Sequence, residues 1–210
     1  DFIIYWMQSA QRIYFNHALT YSIEKAVKEK IPLIVYFEII DSFPEANYRH
    51  FQFMLQGLKD ISDKLIKKNI TFLISYTPDD LFLNLIYLSK RAEIIVTDRG
   101  YLSCQKVWRE FVADNVKCPV FQIETDVIVP TETVSVKEEY SAATIRKKIN
   151  SRIRNYLTSF PDDIFREYSL PLVDIKISGL ISSERILSLA NVLKIDHSVQ
   201  PINMFPGGET

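Results

Sequence analysis

Five short runs, apolar at almost every position, constrain this chain more than anything else in it: residues 2–6, 33–37, 70–75, 93–97 and 119–123. A strand with one wet face alternates apolar and polar side chains. A run without alternation suits a strand buried on both faces, as in a parallel sheet covered by helices. Between the runs the period becomes helical. Ala18, Leu19, Tyr21, Ile23, Ala26 and Val27 form one stripe, with Glu24, Lys25, Lys28 and Glu29 opposite. Phe51, Met54, Leu55, Leu58, Ile61, Leu65 and Ile66 form a longer one, on a predicted helix 48–68 with Asn47 as its N-cap. Thr77 and Pro78 read as the cap and first residue of a third helix reaching about Lys90. A fourth, from about Ser103, is expected to bury Val107, Trp108, Phe111 and Val112. Right-handed crossovers between such strands give an α/β fold: a five-stranded, doubly wound, Rossmann-like parallel sheet of order 3-2-1-4-5.

Past residue 124 this rhythm stops. Residues 126–130 read as a short extension, 138–157 as a helix, 160–180 as irregular, and 182–193 as a short helix. The expected division is an α/β domain over 1–130 and a helix with an interdomain linker over 131–210. The chain starts at Asp1 rather than Met, and Gly207 and Gly208 look like the approach to a further element, so a longer parent protein is expected.

Composition narrows the function classes. At 47% hydrophobic and 24% charged residues, a full core is available. A net charge of −1 leaves no overall electrostatic footprint for nucleic acid. Cys104 and Cys118 make neither a disulfide framework nor a metal motif, which fits a reducing compartment. No apolar run approaches the roughly 18 residues of a membrane helix, and no cleavable signal is apparent. The expectation is a cytoplasmic or nuclear monomer with no membrane partner.

In a sheet of order 3-2-1-4-5 the direction of winding reverses between the first and fourth strands, opening a crevice beyond their carboxyl ends. The loops there, 7–15 and 98–102, carry Gln8, Ser9, Gln11, Arg12, Asp98, Arg99 and Tyr101. The five glycines form neither G-x-G-x-x-G nor a P-loop, and the loop after the first strand has none, so no dinucleotide phosphate cradle is expected. Walls of Trp6, Met7, Phe37, Phe53 and Tyr101 suit a flat, largely apolar ring instead. Plainer roles compete. Arg12 either meets a ligand or pairs with Asp98 or a helix carboxylate to lock the two loops, and Asn16 reads as a helix cap. His17, His50 and His197 lack metal spacing. Arg146, Lys147, Lys148, Arg152 and Arg154 form a basic face that is either solvated or set against phosphates or an acidic neighbour. No nucleophilic triad or paired carboxylate emerges. The residues alone reach an α/β domain that binds a planar ligand.

Longer stretches go further. Tyr5, Trp6, Met7 and Gln8, then Gln11 and Arg12, then Asn16 to Leu19, resemble the amino-terminal signature of class II cyclobutane-pyrimidine-dimer photolyases. So do Phe43 to Asn47 running into Arg49, His50, Phe53, Met54 and Leu55, with Gly57 and Leu58 after them. The series continues with Thr97 to Leu102, Trp108 and Arg109; then Glu124, Thr125, Asp126, Val129 and Pro130; then Lys137 to Tyr140, Ala143 to Arg146, Lys148 and Ile149. The resemblance implies the light-harvesting domain of a DNA-repair flavoenzyme, a carbon–carbon lyase that splits pyrimidine dimers by light-driven electron transfer from reduced FAD. FAD and the flipped dimer would belong to a carboxy-terminal helical domain, this chain's partner, which would make the main contact with UV-damaged DNA. This chain alone would be inactive and hold no catalytic residue. Its own ligand would be an antenna chromophore, a deazaflavin or a folate, on Trp6, Met7, Gln8, Ser9, Arg12, Phe37, Glu38, Arg49, Asp98, Arg99 and Tyr101. Ser9 and Ala10 depart from the charged form of this loop in many relatives, which leaves the chromophore's identity open. A cryptochrome-like light sensor would share the domain; a nucleotide-binding module and a purely structural docking domain are the rivals from other classes.

Overall fold

The first strand, β1 (Phe2–Trp6), is buried along its whole length, and the fold is laid out around it. In the computed structural model, which describes residues 1–160, 163, 165–202 and 204–209, β1 pairs in parallel with β2 (Leu33–Glu38) and β4 (Ala92–Asp98). β3 (Thr71–Ser75) continues the sheet beyond β2, and β5 (Val120–Ile123) beyond β4. The order 3-2-1-4-5 is as expected. A sixth strand, β6 (Leu180–Ile181), adds antiparallel to the edge of β3, giving β5-β4-β1-β2-β3-β6.

Because side chains alternate along a strand, β1 feeds two cores. Ile3 and Tyr5 face α1 (His17–Glu29) and α2 (Tyr48–Lys67), joining Leu19, Ile23, Leu55, Leu58, Ile61 and Leu65. Phe2, Ile4 and Trp6 face the other layer with Leu85, Leu88 and Val112. Each such burial contributes about 1.5–3 kcal/mol. Asn16 caps α1, its Oδ1 accepting the Leu19 N–H at 2.9 Å. At the start of α2 the Asn47 N–H donates to His50 Nδ1 at 3.1 Å.

Five expectations need correction. The third helix, α3 (Leu83–Ser89), starts six residues after Thr77. The Thr77 hydroxyl is drawn 2.9 Å from Glu38 Oε1, and Phe82 turns into the core with φ 64°, a left-handed conformation that stops the helix from extending backwards. In α4 (Ser103–Asn115) the buried face is Gln105, Arg109 and Val112, whereas Val107 and Phe111 are 60% and 45% exposed and Trp108 is half-buried. The Arg109 guanidinium fixes that rotation by bonding the Gly100 carbonyl at 2.8 Å, Gln122 Oε1 at 3.1 Å and Gln8 Oε1 at 3.4 Å. The predicted helix 138–157 is broken into α6 (Ala142–Asn150) and a 3-10 turn at Ile153–Asn155, with a one-turn α5 (Thr131–Val134) before them. Ser141 caps α6, while Glu139 turns back to meet Lys148 at 2.5 Å. Residues 126–130 form no strand, and 182–193 form two 3-10 turns, Ser183–Arg185 and Leu189–Asn191, rather than a helix. The bends between them lay Ile186, Leu189 and Leu193 into the same core as α2.

Candidate functional site

After β1 the chain keeps its ladder for one more residue, Met7 N–H donating to the Tyr36 carbonyl at 2.9 Å, and then turns. In the turn three successive backbone N–H groups converge on one carboxylate. Asp98, at the end of β4 and fully buried, accepts Gln8 N–H at 2.9 Å on Oδ1 and Ser9 and Ala10 N–H at 2.7 and 2.9 Å on Oδ2. The Tyr5 and Ser9 hydroxyls add bonds of 3.1 and 2.8 Å. Burial, then the Asp98 charge, holds the Tyr5 phenol well above its ordinary value, so it remains a donor. Asn16 locks the loop from behind, its Nδ2 reaching the carbonyls of Ala10 and Arg12 at 3.1 and 2.9 Å. A run of converging N–H groups after the first strand is an anion cradle. Here an internal carboxylate fills it.

With Asp98 turned into the cradle, residues 98–102 do not line the main open space, which the end of β2 and Gln105 and Trp108 of α4 do. A cavity of about 790 Å³ runs from Trp6–Arg12 to the end of β2, the loop after it and the first turns of α2. Seven of the residues expected from sequence, Trp6, Met7, Gln8, Ser9, Arg12, Phe37 and Glu38, line it together with Phe53. Four do not. Asp98 lies in the cradle. Arg99 pairs with Glu132 at 2.6 Å, and Tyr101 donates to Glu124. Arg49 donates to the Gln200 carbonyl at 3.1 Å beside a smaller cleft of about 240 Å³. Arg12 does not pair with Asp98: its guanidinium reaches the Thr125 carbonyl at 2.8 Å and Asp126 at 3.5 Å, because the cradle already satisfies Asp98.

Seven aromatic side chains, Trp6, Phe37, Phe43, Phe51, Phe53, Phe82 and Trp108, line the cavity. Trp6 stacks edge-on against Phe82 with centroids 5.2 Å apart; Phe82 lies 6.2 Å from Trp108, and Trp108 lies 6.0 Å from Phe43. Sequence reasoning missed Phe43, Phe82 and Gln105, and read Trp108 as core. Phe82 had no signal, since its place depends on a left-handed backbone. Trp108 and Gln105 could have been found from the rotation of α4, had the buried role of Arg109 been legible. The tail residues Gly208 and Glu209 also line the cavity, and nothing local marked them.

Two polar groups stand out in this apolar wall. Glu38, 5% exposed, accepts the Tyr36 hydroxyl and the Thr77 hydroxyl and has no basic partner within 4 Å among the described residues. Burial raises its carboxyl above the usual range, against the opposing pull of the Tyr36 and Thr77 hydroxyls. Gln8, 9% exposed, holds its Oε1 toward Arg109 while its buried Nε2 has no partner among the described residues. An aromatic cavity with a few polar groups fits a flat ring system. It offers the pyrophosphate of FAD no free N–H cradle at Gln8–Ala10, because Asp98 occupies that one. No group of three or more His, Cys, Asp or Glu side chains among the described residues is placed to hold a metal. No helix among them is long and apolar enough to cross a membrane.

The open α/β sheet with a cavity beyond the carboxyl end of its central strand is an architecture found in solved structures. The crystal structure of a Synechocystis cryptochrome superposes with a TM-score of 0.69 over 88% of this chain and 40% of that one, at 13% identity, a likeness of fold. Residues 3–163 match the DNA photolyase family. The chain belongs to that family and corresponds to its amino-terminal α/β domain. It is similar to the deoxyribodipyrimidine photo-lyases of Methanothermobacter thermautotrophicus (41% identity, 75% of this chain, 35% of the relative) and Potorous tridactylus (36% identity, 79% and 32%). The chain thus spans about a third of the length of these curated relatives.

Proposed function

We propose that this chain is the light-harvesting domain of a photolyase, holding a flat antenna chromophore in the cavity beside Trp6, Met7, Gln8, Ser9, Arg12, Phe37 and Glu38. The observation that carries the reading is the aromatic-walled cavity of about 790 Å³ beside a loop whose anion cradle is already filled by Asp98. A ligand that needs a phosphate cradle is disfavoured there. A deazaflavin or folate ring, whose contacts are stacking and a few hydrogen bonds, is favoured. Bound, it would supply absorption of light; the residues here exclude water from it and fix its orientation. On this reading residues 1–130 are the chromophore module and 131–210 the connection to a helical partner domain. FAD, dimer flipping and light-driven electron transfer belong to the two thirds of the relatives' length that this chain does not match, and the whole protein acts on UV-damaged DNA in the cytoplasm or nucleus.

The chain's two tryptophans, Trp6 and Trp108, both line the cavity, so their fluorescence tests the reading directly. Titration with a deazaflavin or a reduced folate is expected to quench that emission saturably, with excitation transfer into the bound ring. Absence of saturable quenching by both would overturn it. Mixed with dimer-containing DNA and FAD under blue light, the 210-residue chain alone is expected to repair nothing.

A further inference from the structure

Three of the five glycines meet at one place, and their meeting has a physical reason. Gly57 lies in the interior of α2, where glycine is less favourable than alanine. The backbone of Gly208 packs directly over it, and a Cβ on Gly57 would lie 3.6 Å from the Gly208 nitrogen. A Cβ on Gly207 would lie 2.0 Å from the Phe53 carbonyl oxygen, and Gly208 has φ 124°. Residues 207–209 therefore approach α2 backbone against backbone. Polar contacts hold them there. Gly207 N–H donates to Gln56 Oε1 at 2.8 Å, and Glu209 N–H to Asp60 Oδ2 at 3.0 Å, one turn further along the helix.

The Glu209 carboxylate then crosses to the loop after β1. It accepts the N–H groups of Ile13 and Tyr14 at 3.2 and 3.1 Å, while Lys64 reaches its carboxylate at 3.4 Å and its carbonyl at 2.9 Å. So the loop carries two sets of converging N–H groups, each answered by a carboxylate from a distant part of the chain: Asp98 at Gln8–Ala10 and Glu209 at Ile13–Tyr14. Between them lie Gln11 and Arg12, which line the cavity, as do Gly208 and Glu209 themselves.

We infer that residues 207–209 are a working part of the ligand site, with Glu209 a positioning residue that holds the cavity wall through the Ile13 and Tyr14 amides. Docking of this strap and occupation of the cavity are then linked, each favouring the other by the same factor. The inference rests on the proposal that the cavity takes a planar ligand. Where the strap is docked only part of the time, the apparent affinity falls by that fraction.

The test compares the wild-type protein with Glu209→Ala and Glu209→Gln, using deazaflavin titration by tryptophan quenching and amide hydrogen exchange. Glu209→Ala is expected to weaken deazaflavin binding about tenfold and to speed exchange at Ile13 and Tyr14 at least tenfold. Glu209→Gln keeps one acceptor oxygen and should fall between, and β1 amides should exchange as in wild type in both variants. Saturating deazaflavin should slow exchange across 207–209 in the wild type. Unchanged affinity in Glu209→Ala, or wild-type exchange at Ile13 and Tyr14, overturns the inference. If neither deazaflavin nor reduced folate binds the wild type, the chromophore reading falls. Exchange at Ile13 and Tyr14 then still decides whether Glu209 holds the loop.

Discussion

Asp98 and Glu38 are both buried carboxyls near one cavity, and their surroundings set them opposite tasks. Asp98 is surrounded by donors, three backbone N–H groups and two hydroxyls, all of which require acceptor oxygens. Asp98→Asn turns one acceptor into an amide N–H pointing at other N–H groups. With bonds to charged groups contributing about 1.5–3 kcal/mol each, a loss of about 3 kcal/mol is expected. It should appear as a lower urea midpoint with an unchanged slope. Among the described residues Glu38 meets hydroxyls and the Thr77 backbone rather than a basic group, and its raised folded-state pKa means the folded chain binds more protons than the unfolded one above the ordinary carboxylate range. That contribution to stability is complete below the unfolded value of about 4.3 and is lost as pH rises through the folded pKa. Glu38→Gln removes the titration. Its melting temperature should exceed the wild type's at pH 8, and the difference should shrink as pH falls to about 4. A difference independent of pH would show that Glu38 is not the titrating group.

Among the elements, α4 shows how far periodicity carries and where it stops. Its apolar pattern is legible, yet the helix turns Val107 and Phe111 outward and buries Arg109, because three acceptors wait for the guanidinium beneath it. Val112→Ala should therefore cost about 2 kcal/mol through the cavity it leaves, and Val107→Ala within about 0.5 kcal/mol. Equal costs would refute this orientation. In α2 the long stripe fixes the helix to within a residue, but Gly57 looks like a flaw until the tail is seen against it. Gly57→Ala should be tolerated or gain up to about 1 kcal/mol, since the added Cβ meets Gly208 at an ordinary 3.6 Å. Gly57→Leu should leave helix content unchanged by circular dichroism and expose 207–209 to proteolysis.

Across the whole molecule, the segment after the fifth strand is bound into the first core. Phe165, Tyr168, Ile186, Leu189 and Leu193 are all buried there, and the Tyr168 hydroxyl accepts the Leu33 N–H at 2.9 Å. At about 1.5–3 kcal/mol per side chain their loss rivals the 5–15 kcal/mol that stabilises a typical domain. A chain cut after Pro130 should lose cooperative thermal unfolding, whereas retention of a sharp transition would make 131–210 dispensable. The amino-acid sequence by itself determined the parallel sheet, its order and the loop after β1, because unbroken apolar runs and helical stripes are local patterns that burial reads directly. The family signature was equally legible in residues 5–149. Only the tertiary structure decided which residues border the cavity, since Asp98 reaches a loop some ninety residues away and residues 98–102 stay outside the lining. Trp108 and Glu209 at the cavity are likewise placed through partners distant in the chain, and Phe82 by a left-handed backbone; neither leaves a period in a sequence.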